Sequence, residues 1–245
     1  MIRLPRLSPA APERFPDPRT ALAEPNGLLA FGGDLSPARL LAAYGQGIFP
    51  WFGEGEPILW WSPDPRCVFR TDALRINRSL RRQLRGSSWQ LSVDRAFEAV
   101  IRACAEPRDG HAGTWIVPGM IDAYTRLHHL GHAHSVEVWD GTRLVGGIYG
   151  VAIGRLFCGE SMFSAESGGS KLALAALAGL LRAWGWPLID TQVANAHTLG
   201  LGAEEIPRER YLCEAARLTA LPGRVGNWAE DGTPLVRAVL AQAAG

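Results

Sequence analysis

The sequence predicts a mixed α/β protein, because paired strands in its second half are followed by a helix and then by one more strand. Side chains alternate between apolar and polar over residues 135–139, and the Asp140-Gly141 dipeptide after them is a strong hairpin signal. The other expected elements are helices over about 94–104 (with Asp94 as N-cap) and 118–130, strands over 144–153 and from 156, a helix over about 170–184, and a strand over 188–193. We therefore expect one layered α/β domain over residues 66–221.

The segments that flank this domain have a different composition. Residues 1–65 are rich in proline, glycine and tryptophan, and their one clear helix, over 36–46, has Ser36 as N-cap. Residues 222–245 are rich in glycine and proline and contain only a weak terminal helix. We expect a small, loop-rich N-terminal lobe over 1–65 and a C-terminal tail over 222–245.

The composition excludes several classes of protein. Apolar residues make up 47% of the chain and charged residues 20%, which is ordinary for a globular protein and not for a disordered one. The N-terminus lacks the apolar stretch of a secretory signal, and the longest apolar run, over 172–181, is too short to cross a membrane. The protein is expected in the cytoplasm, with its four scattered cysteines as reduced thiols.

A helix predicted from Leu74 carries the clearest polar pattern in the chain. Four arginines recur on one face of this helix: Arg75, Arg78, Arg82 and Arg85. No acidic residue occurs from Ala73 to Val93 to offset their repulsion, so we expect an anionic partner such as a phosphate backbone. A solvated helix face is the alternative.

Two predicted strands contain polar residues that are costly to bury without a partner. Glu160 and Ser161 interrupt one apolar strand. Asp190 and Gln192 lie two residues apart in another, so they point to the same side of it. A functional site and a satisfied structural network both explain these residues. A serine hydrolase is disfavoured, because G-E-S-M-F lacks the final glycine of the G-x-S-x-G motif.

Two other patterns do not form the sites that they superficially suggest. Gly131 breaks the helix that a pair of metal-binding histidines at i and i+4 would need, and the H-E-x-x-H motif is absent, so we expect no metal. The histidines concerned are His128, His129, His132 and His134. The segment 168–171 lacks the glycine before the lysine and the hydroxyl after it that a phosphate loop requires.

Three single residues are candidates for contact with a nucleic acid. Trp51 and Trp115 lie beside predicted turns, where an exposed indole would stack on a base; burial in the core is the alternative. Lys171 is the only lysine among 25 basic residues, beside a Gly-Gly-Ser turn, which suggests that a compact ammonium is needed there. A chance surface lysine is the alternative.

Nine collinear blocks, between about residues 15 and 213, carry a family pattern. They include F-G-G-D-L-S-P, W-W-S-P-D-P-R, F-C-G-E-S-M-F-S and L-I-D-T-Q-V, and they cover 24–41, 47–52, 58–66, 113–116, 123–139, 144–152, 157–164, 188–198 and 201–208. On these blocks the chain resembles the leucyl/phenylalanyl-tRNA–protein transferase family.

The resemblance implies an N-terminal lobe followed by a GNAT-like acyltransferase domain. The implied reaction transfers Leu or Phe, and less readily Met, from aminoacyl-tRNA to the α-amino group of an N-terminal Arg or Lys, which marks the acceptor protein for degradation by the N-end rule. The implied partners are aminoacyl-tRNA and proteins or peptides with N-terminal Arg or Lys. No cofactor, metal or membrane is expected, and we expect a monomer.

The resemblance also implies roles for particular residues. Asp190 and Gln192 are the implied reaction centre, and Glu160 is the group that positions the acceptor. The implied substrate-binding residues are Trp51 and Trp115 around the terminal adenosine, and Ile148, Phe157 and Met162 around the transferred side chain. Ser161 is a further expected substrate-binding residue. Together with the charge pattern, the resemblance makes tRNA the expected anionic partner of Arg75, Arg78, Arg82 and Arg85, and Lys171 is expected to contact it near the acceptor end. Thr191 stands where cysteine is usual and Ile148 where methionine is common, so the pocket is expected to differ slightly in size.

Two other functions are alternatives to the implied transferase reaction. A CoA-dependent acyltransferase is disfavoured, because the chain has no [R/Q]-x-x-G-x-[G/A] loop for the pyrophosphate. A tRNA-binding module without chemistry would use the arginine helix alone, and would bind charged and uncharged tRNA equally.

Overall fold

The structure, a computed structural model, describes residues 4–74, 78–85, 87–106 and 114–244. These residues form eleven β-strands and eight α-helices. The strands are β1 (Arg6–Leu7), β2 (Leu28–Gly32), β3 (Phe49–Pro50), β4 (Leu59–Trp61), β5 (Arg66–Arg70), β6 (Trp89–Val93), β7 (Ala133–Asp140), β8 (Arg143–Ile153), β9 (Leu156–Ser164), β10 (Leu188–Gln192) and β11 (Glu204–Ile206). The helices are α1 (Pro37–Gly45), α2 (Arg78–Arg85), α3 (Phe97–Ala105), α4 (Pro118–His129), α5 (Gly169–Ala183), α6 (Ala196–Gly200), α7 (Arg208–Thr219) and α8 (Ala229–Ala244).

A seven-stranded sheet forms the centre of the described chain, in the order β11-β5-β10-β9-β8-β7-β6. Neighbouring strands are antiparallel except β9 and β10, which run parallel and are connected through α5. The apolar run 172–181 is buried in α5, which packs with α2 and α8 on one face of the sheet. Helices α1, α3, α4 and α7 pack on the other face. The predicted mixed α/β class is confirmed.

The N-terminal lobe contains a second sheet, of four strands in the order β1-β2-β4-β3. Its strands are only two to five residues long, which is too short to leave a periodic pattern in the sequence. The helix predicted over 36–46 is confirmed as α1, where the Ser36 hydroxyl accepts a hydrogen bond from the Arg39 amide at 3.4 Å. Tyr44 of this lobe and Tyr211 of α7 belong to one buried cluster, so the lobe and the larger sheet share a core.

The C-terminal segment packs against the larger sheet through α8, which contacts α5 and β6. The Trp228 amide donates to Asp94 at 2.8 Å, and the Trp228 indole stacks on His134 with the ring centroids 3.5 Å apart. Gly232 and Pro234 lower the intrinsic helix propensity of α8, which is why the sequence indicates only a weak helix. Burial of this segment stabilises the helix instead.

The predicted N-cap role of Asp94 is wrong. Helix α3 begins three residues later, and no side chain caps its first turn. The Asp94 carboxylate instead accepts the Ser135 amide at 2.9 Å and lies 2.8 Å from Nδ1 of His134. Competition from β7 for the same carboxylate explains the difference.

None of the described helices is long and apolar enough to cross a membrane.

Candidate active site

Strands β9 and β10 separate after three paired residues, and this separation opens the sheet. Their parallel pairing runs from Leu188 opposite Leu156 to Asp190 opposite Cys158. Beyond that point β9 continues beside β8, whereas β10 ends at Gln192. Polar side chains from the two strands therefore meet at a gap in the sheet.

A β-bulge in β9 places Glu160 at this gap. Tyr149 of β8 lies opposite Ser161, and Gly150 lies opposite Gly159, so Glu160 has no partner on β8. An extra residue of this kind interrupts the alternation of side chains and bends the strand locally. Glu160 is thereby freed from the regular pattern of its strand.

A second bulge, in β10, places Gln192. Asp190 lies opposite Val68 and Gln192 opposite Cys67, so Thr191 is the extra residue. Gln192 has a φ of 59°, in the left-handed region that residues other than glycine seldom adopt. Such backbone conformations persist where the surroundings hold them, and they are common at functional sites. The bulge and the unusual backbone together direct the Gln192 side chain towards β9.

Glu160 and Gln192 form a hydrogen-bonded carboxyl–amide pair. Gln192 Nε2 donates to Glu160 Oε1 at 3.0 Å, and the Tyr124 hydroxyl donates to Glu160 Oε2 at 2.9 Å. The Tyr124 hydroxyl is in turn hydrogen-bonded to that of Tyr44. Burial raises the pKa of Glu160 to about 7. This carboxyl group therefore changes its protonation state close to neutral pH.

Asp190 lies behind this pair, and its carboxylate is fully occupied. It accepts two hydrogen bonds from the Arg66 guanidinium, at 2.8 and 2.6 Å, one from the Tyr211 hydroxyl at 2.7 Å, and one from the Gln192 amide at 3.0 Å. A carboxylate has about four acceptor positions, so all of them are used. Asp190 is completely buried and does not line the cavity described next.

The groups that hold Asp190 and Glu160 were not predicted from the sequence. Arg66 is buried between the rings of Phe49 and Tyr211, at 4.9 and 4.5 Å from their centroids, and it also donates to the Gly47 carbonyl at 3.1 Å. An arginine at the start of the apolar stretch R-C-V-F-R was the available signal. The sequence gives no comparable signal for Tyr44, Tyr124 and Tyr211, because buried tyrosines are ordinary core residues.

A cavity of about 930 Å³ opens beside the carboxyl–amide pair. Five of the residues predicted from the sequence line this cavity: Ile148, Glu160, Ser161, Met162 and Gln192. Phe157 does not line it. The Phe157 side chain is 1% exposed and belongs to the buried cluster on the α5 face of the sheet, with its ring centroid 6.1 Å from that of Trp228.

The cavity has two chemically different sectors, one on each face of the sheet. The sector on the α5 face is apolar and is lined by Phe69, Ile148, Met162, Leu174 and Ile189. The sector on the opposite face contains Glu160, whose Tyr124 partner belongs to α4, and Glu106 at the end of α3. One ligand group can therefore be apolar while the other is polar or cationic.

A second cavity, of about 820 Å³, brings together the two tryptophans predicted to stack on a base. Trp51 and Trp115 both line it, as does Trp61. The Trp51 side chain is 45% exposed and meets the Trp61 ring edge-on at 5.5 Å, and Trp61 Nε1 donates to the Trp51 carbonyl at 2.7 Å. An exposed indole held in this way is available for stacking.

The arginine helix is described from Arg78 onwards as α2. Its apolar stripe is buried through Leu80 and Leu84, while the arginines predicted to bind tRNA are exposed: Arg78, Arg82 and Arg85. None of these three forms an ion pair with any part of the chain that the structure describes. Arg75 lies outside the described residues. Lys171 lies in the first turn of α5 and is partly exposed.

The arrangement of the site suits an enzyme that transfers an acyl group to an amine. Glu160 and Gln192 can hold an amine, and the adjacent apolar sector can hold a side chain. The sequences of known proteins identify the family within this class. The family described as leucyl/phenylalanyl-tRNA protein transferase matches residues 68–216, and its N-terminal domain matches residues 33–64. The chain belongs to this family and is an aminoacyltransferase.

Curated relatives agree over most of the chain. A leucyl/phenylalanyl-tRNA–protein transferase of Xanthomonas euvesicatoria pv. vesicatoria is 62% identical over 91% of this chain and 89% of its own length. One from Xanthomonas oryzae pv. oryzae is 60% identical over 91% and 90%. One from Xylella fastidiosa is 60% identical over 86% and 88%.

Similarity to solved structures is much lower. A functionally unknown conserved protein of Staphylococcus epidermidis is 10% identical, with a TM-score of 0.40 over 74% of this chain and 68% of its own. A GCN5-related N-acetyltransferase from Kribbella flavida is 12% identical, with a TM-score of 0.37 over 69% and 60%. The functional assignment therefore depends on the sequence family and on the site.

Proposed function

We propose that this enzyme transfers Leu or Phe, and less readily Met, from aminoacyl-tRNA to the α-amino group of an acceptor with N-terminal Arg or Lys, and thereby marks that protein for degradation by the N-end rule. The observation that carries the proposal is the carboxyl–amide pair of Glu160 and Gln192 at the edge of a cavity with an apolar sector. The pair receives the attacking amine, and the apolar sector receives the donor side chain.

The pair holds the amine through the free face of the Gln192 amide. Because Gln192 Nε2 donates to Glu160, Gln192 Oε1 remains available to accept an N–H of the amine. An α-amine has a pKa of about 7.7–8.0, so a useful fraction is neutral at physiological pH. The amine nitrogen attacks the ester carbonyl, the ester C–O bond breaks, and the proton lost by the amine ends on the departing ribose oxygen. Positioning of the two reactants supplies most of the rate.

Asp190 contributes by fixing Gln192. Its carboxylate accepts the Gln192 amide N–H and is itself held by Arg66 and Tyr211. A glutamine that adopts a left-handed backbone needs such a constraint. Asp190 is thus a positioning residue in this mechanism, while Glu160 and Gln192 contact the acceptor.

The remaining predicted residues are assigned to the aminoacyl-tRNA. The donor side chain lies against Ile148 and Met162, with Ser161 at the cavity wall and Phe157 supporting it from below. Trp51 and Trp115 stack on the terminal adenosine. The phosphate backbone is bound by Arg75, Arg78, Arg82 and Arg85, with Lys171 near the acceptor end. The reaction is placed in the cytoplasm, where charged tRNA is available, and the enzyme acts as a monomer.

The test is to incubate the protein with radiolabelled Leu-tRNA and a peptide that begins with Arg, and to look for labelled peptide. Labelled peptide supports the proposal. Equal binding of charged and uncharged tRNA without transfer would indicate a tRNA-binding module, and tight binding and use of acetyl-CoA would indicate a CoA-dependent acyltransferase.

A further inference from the structure

Glu106 is an acidic residue of the cavity with no role in the mechanism above. It follows the last residue of α3, its side chain is exposed, and it lines the same cavity as Glu160 and Gln192. Within the described residues Glu106 forms no ion pair, although Glu98 of α3 pairs with Arg102 at 3.6 Å. A carboxylate directed at a cavity and not neutralised by its described neighbours is available to a cationic ligand.

The charges around the cavity favour a ligand with two positive groups. Glu106 and Glu160 are the two carboxylates among its lining residues, and neither Arg nor Lys is among them in the described part of the chain. An acceptor that begins with Arg or Lys carries an α-amine and, at the end of a long stem, a second cation. The α-amine is already assigned to Glu160 and Gln192, which leaves the side-chain cation without a partner.

The position of Glu106 suits this second cation. Phe163 lies beside α3, because a Cβ added to Gly147 would touch both Phe163 and Val100. Phe163 is three residues beyond Glu160 on β9, which corresponds to about 10 Å along the strand. Because Glu106, Glu160 and Phe163 line the same cavity, an Arg or Lys side chain whose α-amine is bound at Glu160 can lay its apolar atoms against the Phe163 ring and direct its charge to the Glu106 carboxylate.

We propose that Glu106 determines the acceptor specificity of this enzyme by pairing with the side-chain cation of the N-terminal Arg or Lys. This inference rests on the proposed function, because it requires that such acceptors are substrates. The donor side chain occupies the apolar sector on the other face of the sheet, so Glu106 acts on the acceptor alone.

The experiment compares peptides that begin with Arg or with citrulline, which has nearly the same shape and no charge, and likewise Lys with norleucine. We expect the wild-type enzyme to prefer Arg over citrulline in kcat/KM. In Glu106→Gln the Arg:citrulline ratio is expected to fall about tenfold or more, because a charge-assisted contact is lost. Transfer to the citrulline peptide and the KM for Leu-tRNA are expected to remain at wild-type values. Glu98→Gln, an exposed change on the same helix outside the cavity, serves as the matched control.

An unchanged Arg:citrulline ratio in Glu106→Gln, with normal transfer to the Arg peptide, overturns the role of Glu106 and leaves the proposed function intact. An equal loss for all peptides, or a raised KM for Leu-tRNA, also overturns it, since it shows a general effect on the cavity. If the wild-type enzyme transfers nothing to any peptide, the proposed function fails and this inference fails with it.

Discussion

Arg66 and Asp190 form a bidentate ion pair in the core, although they lie 124 positions apart in the sequence. Both side chains are almost completely buried, at 1% and 0% exposure. Breaking such a pair leaves an uncompensated charge in the interior. Because Asp190 also accepts the Gln192 amide, the pair connects the stability of the core to the geometry of the reaction centre.

The first prediction concerns Asp190→Asn. We expect the free energy of unfolding to fall by about 3–5 kcal/mol, because Arg66 loses its counter-charge, and kcat to fall with it, because an NH2 group replaces one carboxylate oxygen of the network that fixes Gln192. Urea unfolding and steady-state kinetics measure the two effects. Tyr211→Phe removes one neutral donor and is expected to cost only about 1–2 kcal/mol. A large loss of kcat at unchanged stability would instead show that Asp190 acts directly on the amine.

The second prediction concerns the pH dependence of the reaction. Glu160 has its pKa raised to about 7, so it becomes protonated and unable to support the amine as the pH falls below that value. The acceptor amine loses reactivity over a similar range, at about 7.7–8.0. In a plot of log kcat/KM against pH, the wild-type enzyme is thus expected to approach a slope of about two on the acid side, because both groups must be deprotonated. Glu160→Gln is expected to approach a slope of about one, at a lower overall rate. Glu230→Gln on α8 should keep the wild-type profile, and an acid limb of the same slope in both enzymes would contradict the role of Glu160.

Local sequence patterns predicted much of the fold. The Asp140-Gly141 turn, the alternation in β7 and the apolar run of α5 are signals carried by neighbouring residues, and the structure has a strand or helix at each of them. The N-cap prediction for Asp94 was wrong because its carboxylate accepts a hydrogen bond from Ser135, on a strand far along the sequence, and does not cap the nearby helix. Helix α8 was underestimated because its stability comes from packing on β6 and α5, which the local propensities do not contain.

The candidate site was predictable only in part. Glu160 and Gln192 stood out as polar residues in apolar strands, and the structure brings them within hydrogen-bond distance. Their bulges could not be anticipated, because a bulge is a relation between two strands and depends on their register. Arg66 was missed for a similar reason, since its partner comes from a strand far along the sequence.

The third prediction tests the packing of the C-terminal segment. Trp228 is 3% exposed, stacks on His134 and meets Trp184 and Trp186 edge-on at 4.8 and 5.6 Å. Trp228→Ala is expected to lower the free energy of unfolding by about 3–5 kcal/mol, because it leaves a large cavity in the core. Val225→Ala, three residues away at a side chain that is 68% exposed, should change it little. Equal effects of the two changes in urea unfolding would show that the segment does not contribute to the core.

The fourth prediction concerns the exposed face of α2. Reversing two charges in Arg78→Glu/Arg82→Glu is expected to weaken tRNA binding and to reduce the slope of log affinity against log salt by about two. Both side chains are exposed, so the fold should be retained. Arg210→Glu/Arg217→Glu makes the same change of charge on the exposed face of α7. If both double variants lose affinity equally, the effect belongs to net charge and not to this helix.

The fifth prediction concerns the choice of donor. The wall formed by Ile148 and Met162 discriminates by shape, and one methylene more or less in such a pocket is worth only about 1–3 kcal/mol. Leu, Phe and Met have no branch at Cβ, and a flexible Met162 can repack around each of them. Ile and Val carry a branch beside the reacting ester, where we expect the gap between β9 and β10 to be narrow. Transfer to an Arg-initiated peptide should therefore be much slower from Ile- and Val-tRNA than from the other three.

Gly159 allows the width of this gap to be tested directly. It lines the cavity, and an added Cβ would lie 3.6 Å from Ile189 Cγ2 and 3.7 Å from the Asp190 carbonyl oxygen, which is ordinary van der Waals contact. Gly159→Ala should thus fold normally while it places a methyl group at the gap. We expect kcat/KM to fall for Leu and Phe, with tRNA affinity and the free energy of unfolding unchanged. Wild-type rates for Phe in this variant, or a wild-type enzyme that uses Ile as well as Leu, would show that the donor does not pass between these strands.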